Sequence, residues 1–420
     1  MRYFKVILVC PIALLLLMLF SLANAQTASN LDYFIRNAQL NSPLLTDYNN
    51  QILSTRIDSL KLRATYGFIV SAEGNASYAP SSKGWGYDNA LTNGQSIFVG
   101  VRVSREFITR SNLATRLNAY KSSIAQVATQ KDIAVQTLNR QITDQYIATY
   151  TSQKHMDLSA EIIALLAKED LILRKLTQNA AFKQTDYLSF KVTLQQNQLA
   201  LQQQTADWQN NYALLNYLSG IIDTSFHELN PPDMGEISFF PDFKESVYTT
   251  SFQADSTKLA NDAKVIEYDY KPKVNVFSDG GYQSSLTHTP FKNFGASMGI
   301  SVSLPIYNGH QKQLLLQQNN LALQSRKKYL EQTQHQYQQE VFNLQNQAKQ
   351  YNSMLGTAIQ QIEYATTLVA ANAKQLPTGD VKMVDFILSI NNLLNLKANI
   401  IQYNNALYTL KNQMKYLIIQ

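Results

Sequence analysis

Cysteine is nearly absent from the sequence, which contains only Cys10 among 420 residues. Cys10 lies in an apolar N-terminal stretch, residues 6–20, that follows two basic residues and precedes a run of small residues ending near Ala25. This order predicts a secretory signal peptide over residues 1–25, with a retained membrane helix as the alternative. Loss of the signal would leave no thiol, which excludes disulfides, thiolate catalysis and thiolate metal sites.

Long apolar runs and basic clusters are also lacking. After the signal there is no run of about 18 apolar residues, so any membrane span would have to be made of strands. The formal charge of +6 is spread along the chain, without a cluster of lysine and arginine. This distribution gives no indication of nucleic acid as a partner.

Motifs for catalysis and metal binding are missing as well. The five histidines are scattered, and none forms a His-x-x-x-His or His-Glu pairing of the kind that zinc sites use. The sequence contains no glycine-rich phosphate loop and no Gly-x-Ser-x-Gly turn. Gly280 and Gly281 lie inside a predicted strand, where they fit close strand packing better than nucleotide binding. We therefore predict no enzyme, no metal site and no cofactor.

An internal repeat organises the remainder of the chain. Residues 100–104 (GVRVS) match residues 299–303 (GISVS), 199 positions later, and the same offset separates Asp186 from Asp385. A tandem duplication explains this shared offset better than chance. The predicted organisation is a first repeat, a proline-containing linker and a second repeat, over residues 26–228, 229–247 and 248–420.

Each half has the same predicted order of a helix, two strands, a very long helix, a turn and a second helix. The strands alternate apolar with small or polar residues over about 10–13 positions, the pattern of transmembrane barrel strands. A half-buried sheet in a soluble protein would show the same alternation. Four strands cannot close a barrel, but three copies of the chain would supply twelve. The polar residues expected to face its lumen are Glu73, Asn75, Arg102, Asn275 and Asp279.

The longest helix is predicted from about residue 308 to residue 371, a stretch without proline. Its apolar residues alternate spacings of three and four, which is the heptad seam of a coiled coil. The seam comprises Val341, Leu344, Ala348, Tyr351, Leu355, Ala358, Ile362, Ala365 and Val369. A related pattern in the first half is interrupted by Glu169. The predicted fold class is therefore mixed, mainly α-helical coiled coil with a β-barrel part.

The combination resembles the TolC-type outer-membrane efflux proteins. The resemblance rests on the signal, the duplicated halves, the strand-to-helix junction at residues 303–309 (SLPIYNG) and the Asn-x-Pro step at residues 41–45 (NSPLL). It implies a homotrimer with a twelve-stranded barrel among outer-membrane lipids and a long helical tube in the periplasm. It also implies a periplasmic adaptor protein and an inner-membrane pump as partners.

The resemblance further implies a function for the two turns that join the long helices. In this family such turns form the periplasmic tip, which closes the channel and meets the adaptor. The tip residues expected to dock the adaptor are Ala180, Ala181, Phe182, Thr185, Gly379, Asp380 and Val381. Asp385 and Asp186 are expected at the gate; the alternative is a helix N-cap or first-turn carboxylate. The family usually has a second acidic residue one turn after Asp385, where this sequence has Leu388.

These observations predict a passive channel subunit for a tripartite efflux or type I secretion system. A periplasmic adaptor or coiled-coil scaffold is the alternative, because it would share the long heptad helices. It would not need four strands with a lipid-compatible face. A barrel-bound hydrolase would require a cluster of acid, base and nucleophile that the sequence does not contain.

Overall fold

The computed structural model describes residues 30–80, 85, 94–179, 182–235, 242–286 and 290–417. The predicted signal peptide and the predicted tip residues Ala180 and Ala181 lie outside the described residues. The first half consists of α1 Leu31–Asn41, α2 Pro43–Thr65, β1 Ile69–Tyr78, β2 Gln95–Phe107, α3 Arg110–Gln178 and α4 Gln184–Ser219. The second half consists of α5 Val247–Asp269, β3 Lys273–Ser284, β4 Phe294–Ser303, α6 Gln311–Gln375 and α7 Met383–Tyr416.

Two pairs of equivalent elements begin at the offset that the sequence repeat predicts. Strands β2 and β4 begin at Gln95 and Phe294, 199 positions apart. Helices α4 and α7 begin at Gln184 and Met383, which are also 199 positions apart. The first helix is divided into α1 and α2 at Ser42, because Pro43 has no backbone N–H to donate and therefore suits the first position of a new helix.

The four strands form one antiparallel sheet in the order β1-β2-β3-β4. Each half contributes a hairpin, and the hairpins join where β2 pairs with β3. Apolar residues pair on one face, as in Val70 with Val103 and Val276 with Ile300. Side chains on a strand alternate between its two faces, so this register collects the polar residues on the other face.

The chain divides into two compact units, and each takes residues from both halves. One unit comprises Asp47–Lys131 and Thr249–Glu331, and it contains the sheet. The other comprises Met1–Thr46, Asp132–Tyr248 and Gln332–Gln420. It contains α4 and α7 with the ends of α3 and α6 that lead to the turns.

The seam predicted for α6 is confirmed, since all nine of its positions are buried or half-buried. Leu344 is 1% exposed and packs with Leu410, Met414 and Leu417. In α3 the predicted positions are likewise buried or half-buried: Leu158, Ile162, Leu165, Ile172 and Leu176. The pattern did not include Leu166 and Leu173, which are both 0% exposed. These two leucines belong to a cluster that also includes residues of α4, α6 and α7, so α3 is covered on more than one side.

Within the described residues, no helix combines the length and the hydropathy required to cross a bilayer.

Candidate functional site

The polar face of the sheet brings together three of the five predicted lumen residues. The Arg102 Nη1 atom lies 3.0 Å from Glu73 Oε2, and Arg102 Nη2 lies 3.3 Å from Asp279 Oδ2. The guanidinium also lies over the ring of Phe277, with its carbon 5.0 Å from the ring centroid. One cation on β2 therefore connects carboxylates on β1 and β3.

The other two predicted lumen residues lie on the same face but outside this cluster. Asn75 pairs across the sheet with Phe98, and Asn275 pairs with Ser301 and Glu106. Alternation along the strands is sufficient to predict a shared face. The cross-strand register decides which residues on that face touch, and the sequence pattern did not give this register.

A hydroxyl group also donates to each of the two carboxylates in the cluster. The Ser297 hydroxyl donates a hydrogen bond of 2.8 Å to Asp279 Oδ1. The Ser71 hydroxyl donates a hydrogen bond of 3.2 Å to Glu73 Oε1. The cluster thus contains two carboxylates and one guanidinium, so it carries one excess negative charge when both acids are ionised.

A row of glycines crosses the polar face beside this cluster. Gly100 pairs with Gly281, which in turn pairs with Gly295. A Cβ atom at Gly281 would collide with backbone atoms of Gly100 and Val99, so no larger residue fits there. Next to the row is a cavity of about 280 Å³ whose lining includes Phe98, Asp279, Gln283 and Ser297.

The first predicted tip turn lies between the end of α3 and the start of α4. Lys183 is the N-cap of α4, and Asp186 follows in the first helical turn, where its N–H donates to the Lys183 carbonyl over 3.1 Å. Thr185 is exposed, whereas Phe182 is half-buried and packs against the apolar cluster of α3, α4, α6 and α7. Of the two structural alternatives for Asp186, the N-cap is wrong and the first-turn position is correct.

The second predicted tip turn lies between α6 and α7. Gly379 has a φ of +81°, a left-handed conformation that glycine adopts without strain. The Thr378 hydroxyl donates a hydrogen bond of 2.6 Å to Asp380 Oδ2, and both residues are exposed. Val381 is half-buried.

Asp385 is exposed in the first turn of α7, for which Lys382 is the N-cap. As with Asp186, the N-cap alternative is wrong, and a first-turn carboxylate is favoured there by the helix dipole. This local role leaves the carboxylate itself in contact with solvent. It is therefore available for a second role at a gate.

A buried acid lies in α3 between Leu166 and Leu173, two residues of the apolar cluster. Glu169 in α3 is only 5% exposed. Burial raises the pKa of its carboxyl, and the nearby charge of Lys168 lowers this pKa by a smaller amount. The neighbouring Asp170 is paired instead, with Oδ2 lying 3.1 Å from Lys191 Nζ. The sequence marked Glu169 only as an interruption of the seam.

One contact that sequence patterns missed involves Ser225, His227 and Asp223. The Ser225 hydroxyl lies 2.9 Å from His227 Nε2 and donates to Asp223 Oδ2 over 2.7 Å. In a catalytic triad the acid bonds the histidine nitrogen that does not contact the serine, whereas here Asp223 Oδ2 lies 4.0 Å from the same Nε2 atom. The Asp223 and His227 side chains are exposed, and Asp223 Oδ1 accepts from the Ser225 N–H in a local turn. This arrangement stabilises the turn. In the described part of the chain, no group of three or more His, Cys, Asp or Glu residues could hold a metal ion.

Comparison with known proteins finds likeness in structure rather than in sequence. No protein-family model matches the chain, and no curated protein sequence matches it. VceC, an outer membrane protein from Vibrio cholerae, is 14% identical, with a TM-score of 0.73 over 92% of this chain and 95% of that one. The CmeC outer membrane channel of Campylobacter jejuni is 14% identical, with a TM-score of 0.70 over 93% and 85%.

The MtrE outer membrane channel of Neisseria gonorrhoeae is also similar, at 13% identity and a TM-score of 0.72 over 93% of this chain and 89% of that one. Coverage this high means that the likeness includes the sheet as well as the long helices. Identity this low supports a conclusion about the fold alone. The chain therefore has the TolC-type outer-membrane channel fold that its sequence resembles.

Proposed function

We propose that this protein is the subunit of a passive outer-membrane channel formed by three copies of the chain. The observation that carries the proposal is a four-stranded sheet with one apolar, exposed face and one polar face. Val70, Met298, Ile300 and Val302 of the apolar face are 66%, 87%, 71% and 67% exposed in the single chain. An apolar surface of this kind is stable in contact with lipid, whereas its exposure to water is unfavourable in free energy.

The edges of the sheet support assembly from several copies. Among the residues that the structure describes, strands β1 and β4 each pair on one side only, because they are the ends of the strand order. Unpaired backbone groups in a bilayer cost several kcal/mol each, so both edges require partner strands. Pairing β4 of one copy with β1 of the next satisfies both edges. Three copies then close twelve strands, an even number within the range of known barrels.

In the closed assembly the polar face surrounds a water-filled path. Its lining includes the cluster of Glu73, Arg102 and Asp279. The turns that lead into α4 and α7 form the periplasmic tip, with Asp385 as a candidate gate residue. A periplasmic adaptor protein contacts this tip, and the partner assembly, which includes an inner-membrane pump, supplies the energy for transport. The apolar face of the sheet favours this channel over a periplasmic adaptor, which would keep all of its surfaces in water.

Conductance and solubility together test the proposed function. The purified full chain, reconstituted in planar bilayers, is expected to produce discrete current steps. In cells, it is expected to fractionate with outer membranes and to require detergent for release. A chain that stays soluble and monomeric without detergent, or that produces no current, would contradict the proposal.

A further inference from the structure

The polar face of the sheet contains two phenylalanines in different states. Phe277 lies beneath the guanidinium of Arg102, which is also paired with Glu73 and Asp279. This ring, its cation and the two carboxylates form a complete cation–π and ion-pair arrangement. Among the described residues, no lysine or arginine lies over the ring of Phe98.

The tip of the Phe98 ring instead lies over Gly100, where a Cβ atom would collide with it, and the side chain is half-buried. It lines the cavity of about 280 Å³, which Asp279 and Ser297 also line. Gly281 and Gly295 form part of the lining and contribute no side chain, so the cavity reaches down to the strand backbones. The cavity therefore combines an aromatic side chain with a carboxylate.

Asp279 retains the capacity to bind a second cation. Its Oδ2 atom lies 3.3 Å from Arg102, and its Oδ1 atom accepts the Ser297 hydroxyl. A carboxylate has about four acceptor positions, so these two partners do not saturate it. Arg102 is also shared with Glu73, which leaves one negative charge of the cluster uncompensated.

From this geometry we propose that the cavity is a binding site for a small organic cation, such as an arylammonium or alkylammonium ion. The Phe98 ring in the cavity lining attracts the cation and its apolar substituents. Asp279 supplies the opposite charge. This inference rests on the proposed channel function, because it names a class of solute for the channel. Binding of the cation to the cavity can nevertheless be measured without recording any current.

The test uses benzyltrimethylammonium as the probe and the detergent-solubilised full chain. Isothermal titration calorimetry is expected to detect saturable binding of the cation. Benzyl alcohol, which has the ring without the charge, is expected to bind at least tenfold more weakly. Absence of binding by the cation, or equal binding of the two compounds, would overturn the inference.

Matched valine substitutions locate the site. A Cβ atom at Gly295 would meet no atom within 4 Å, so Gly295→Val is expected to fold and to occupy the cavity. Gly74 is equally open but lies on the opposite face of the sheet, so Gly74→Val is the control. We expect Gly295→Val to weaken binding at least tenfold and Gly74→Val to leave it unchanged. Unchanged binding by Gly295→Val would contradict the assigned cavity.

A second substitution tests the charge without filling the space. Asp279→Asn preserves the size of the side chain and is expected to weaken binding of the cation at least tenfold. If Asp279→Asn binds the cation with unchanged affinity, the proposed role of the carboxylate is wrong. Single-channel current recorded from the same preparations separates the two proposals. Current without cation binding refutes only this inference, whereas binding without current refutes the channel.

Discussion

At the scale of single residues, Asp385 joins a local role to a proposed functional one. It stabilises the start of α7, yet its side chain is exposed. In a trimer, three such carboxylates around a narrow axis would attract cations. We expect Asp385→Ala to raise single-channel conductance or to reduce cation selectivity in planar bilayers.

Asp380→Ala is the matched control for Asp385→Ala. Asp380 is also exposed, but it lies in the turn before α7 and is bonded to Thr378. Its loss is expected to leave ion selectivity close to that of the wild type. If conductance and selectivity are unchanged in Asp385→Ala, Asp385 is not part of the gate.

Glu169 leads to a prediction about pH. Because burial raises the pKa of its carboxyl, the folded state holds the proton at pH values where the unfolded chain has released it. The free energy of unfolding therefore falls as pH rises from the ordinary carboxyl range through the raised pKa. At pH 8 we expect Glu169→Gln to be more stable than the wild type by about 1 kcal/mol, since the variant buries no charge.

Thermal unfolding followed by circular dichroism at pH 8 and pH 5 measures this effect. The stabilisation by Glu169→Gln should be smaller at pH 5, where the wild-type carboxyl is more fully protonated. Glu363→Gln, at an exposed position of α6, is expected to change little at either pH. A gain of the same size at both pH values would argue against ionisation as the cause.

At the scale of elements, the stability of the long helices depends on apolar packing along their length rather than on capping at their ends. Leu344 of α6 is 1% exposed and contacts an apolar cluster that includes α7 residues. Leu344→Ala is expected to lower the free energy of unfolding by about 2–5 kcal/mol, because it leaves a cavity. The midpoint of thermal loss of helical circular dichroism should fall accordingly.

Gln345→Ala provides the comparison for this helix. Gln345 is the next residue in α6 and is exposed, so its truncation should have little effect on the midpoint. The helix propensity of alanine exceeds that of glutamine by only a small margin, so propensity contributes little to the difference. Equal destabilisation by the two variants would contradict the seam.

At the scale of the whole molecule, the decisive prediction is the number of chains per particle. Native mass spectrometry of the detergent-solubilised protein is expected to find three. The physical reason is the sheet, because the outer edges of β1 and β4 have no partner strand among the described residues. Particles with one or two chains would refute the twelve-stranded barrel, although the fold of the single chain would still be correct.

The sequence by itself determined the order of elements and the faces of the strands. Apolar alternation and heptad spacing follow from the geometry of a single element, so they can be read without knowledge of its neighbours. The shared offset of 199 residues likewise related β2 to β4 and α4 to α7. These features were sufficient to predict the fold, which is the fold of the solved outer-membrane channels.

Only the tertiary structure decided which of these residues meet. The contacts of Arg102 with Glu73 and Asp279 depend on strand register, and the buried position of Glu169 depends on how α3 is covered by other helices. Such contacts join residues far apart in the chain. Local periodicity assigns a side chain to a face, but the partner on that face is selected by packing and hydrogen bonding between elements.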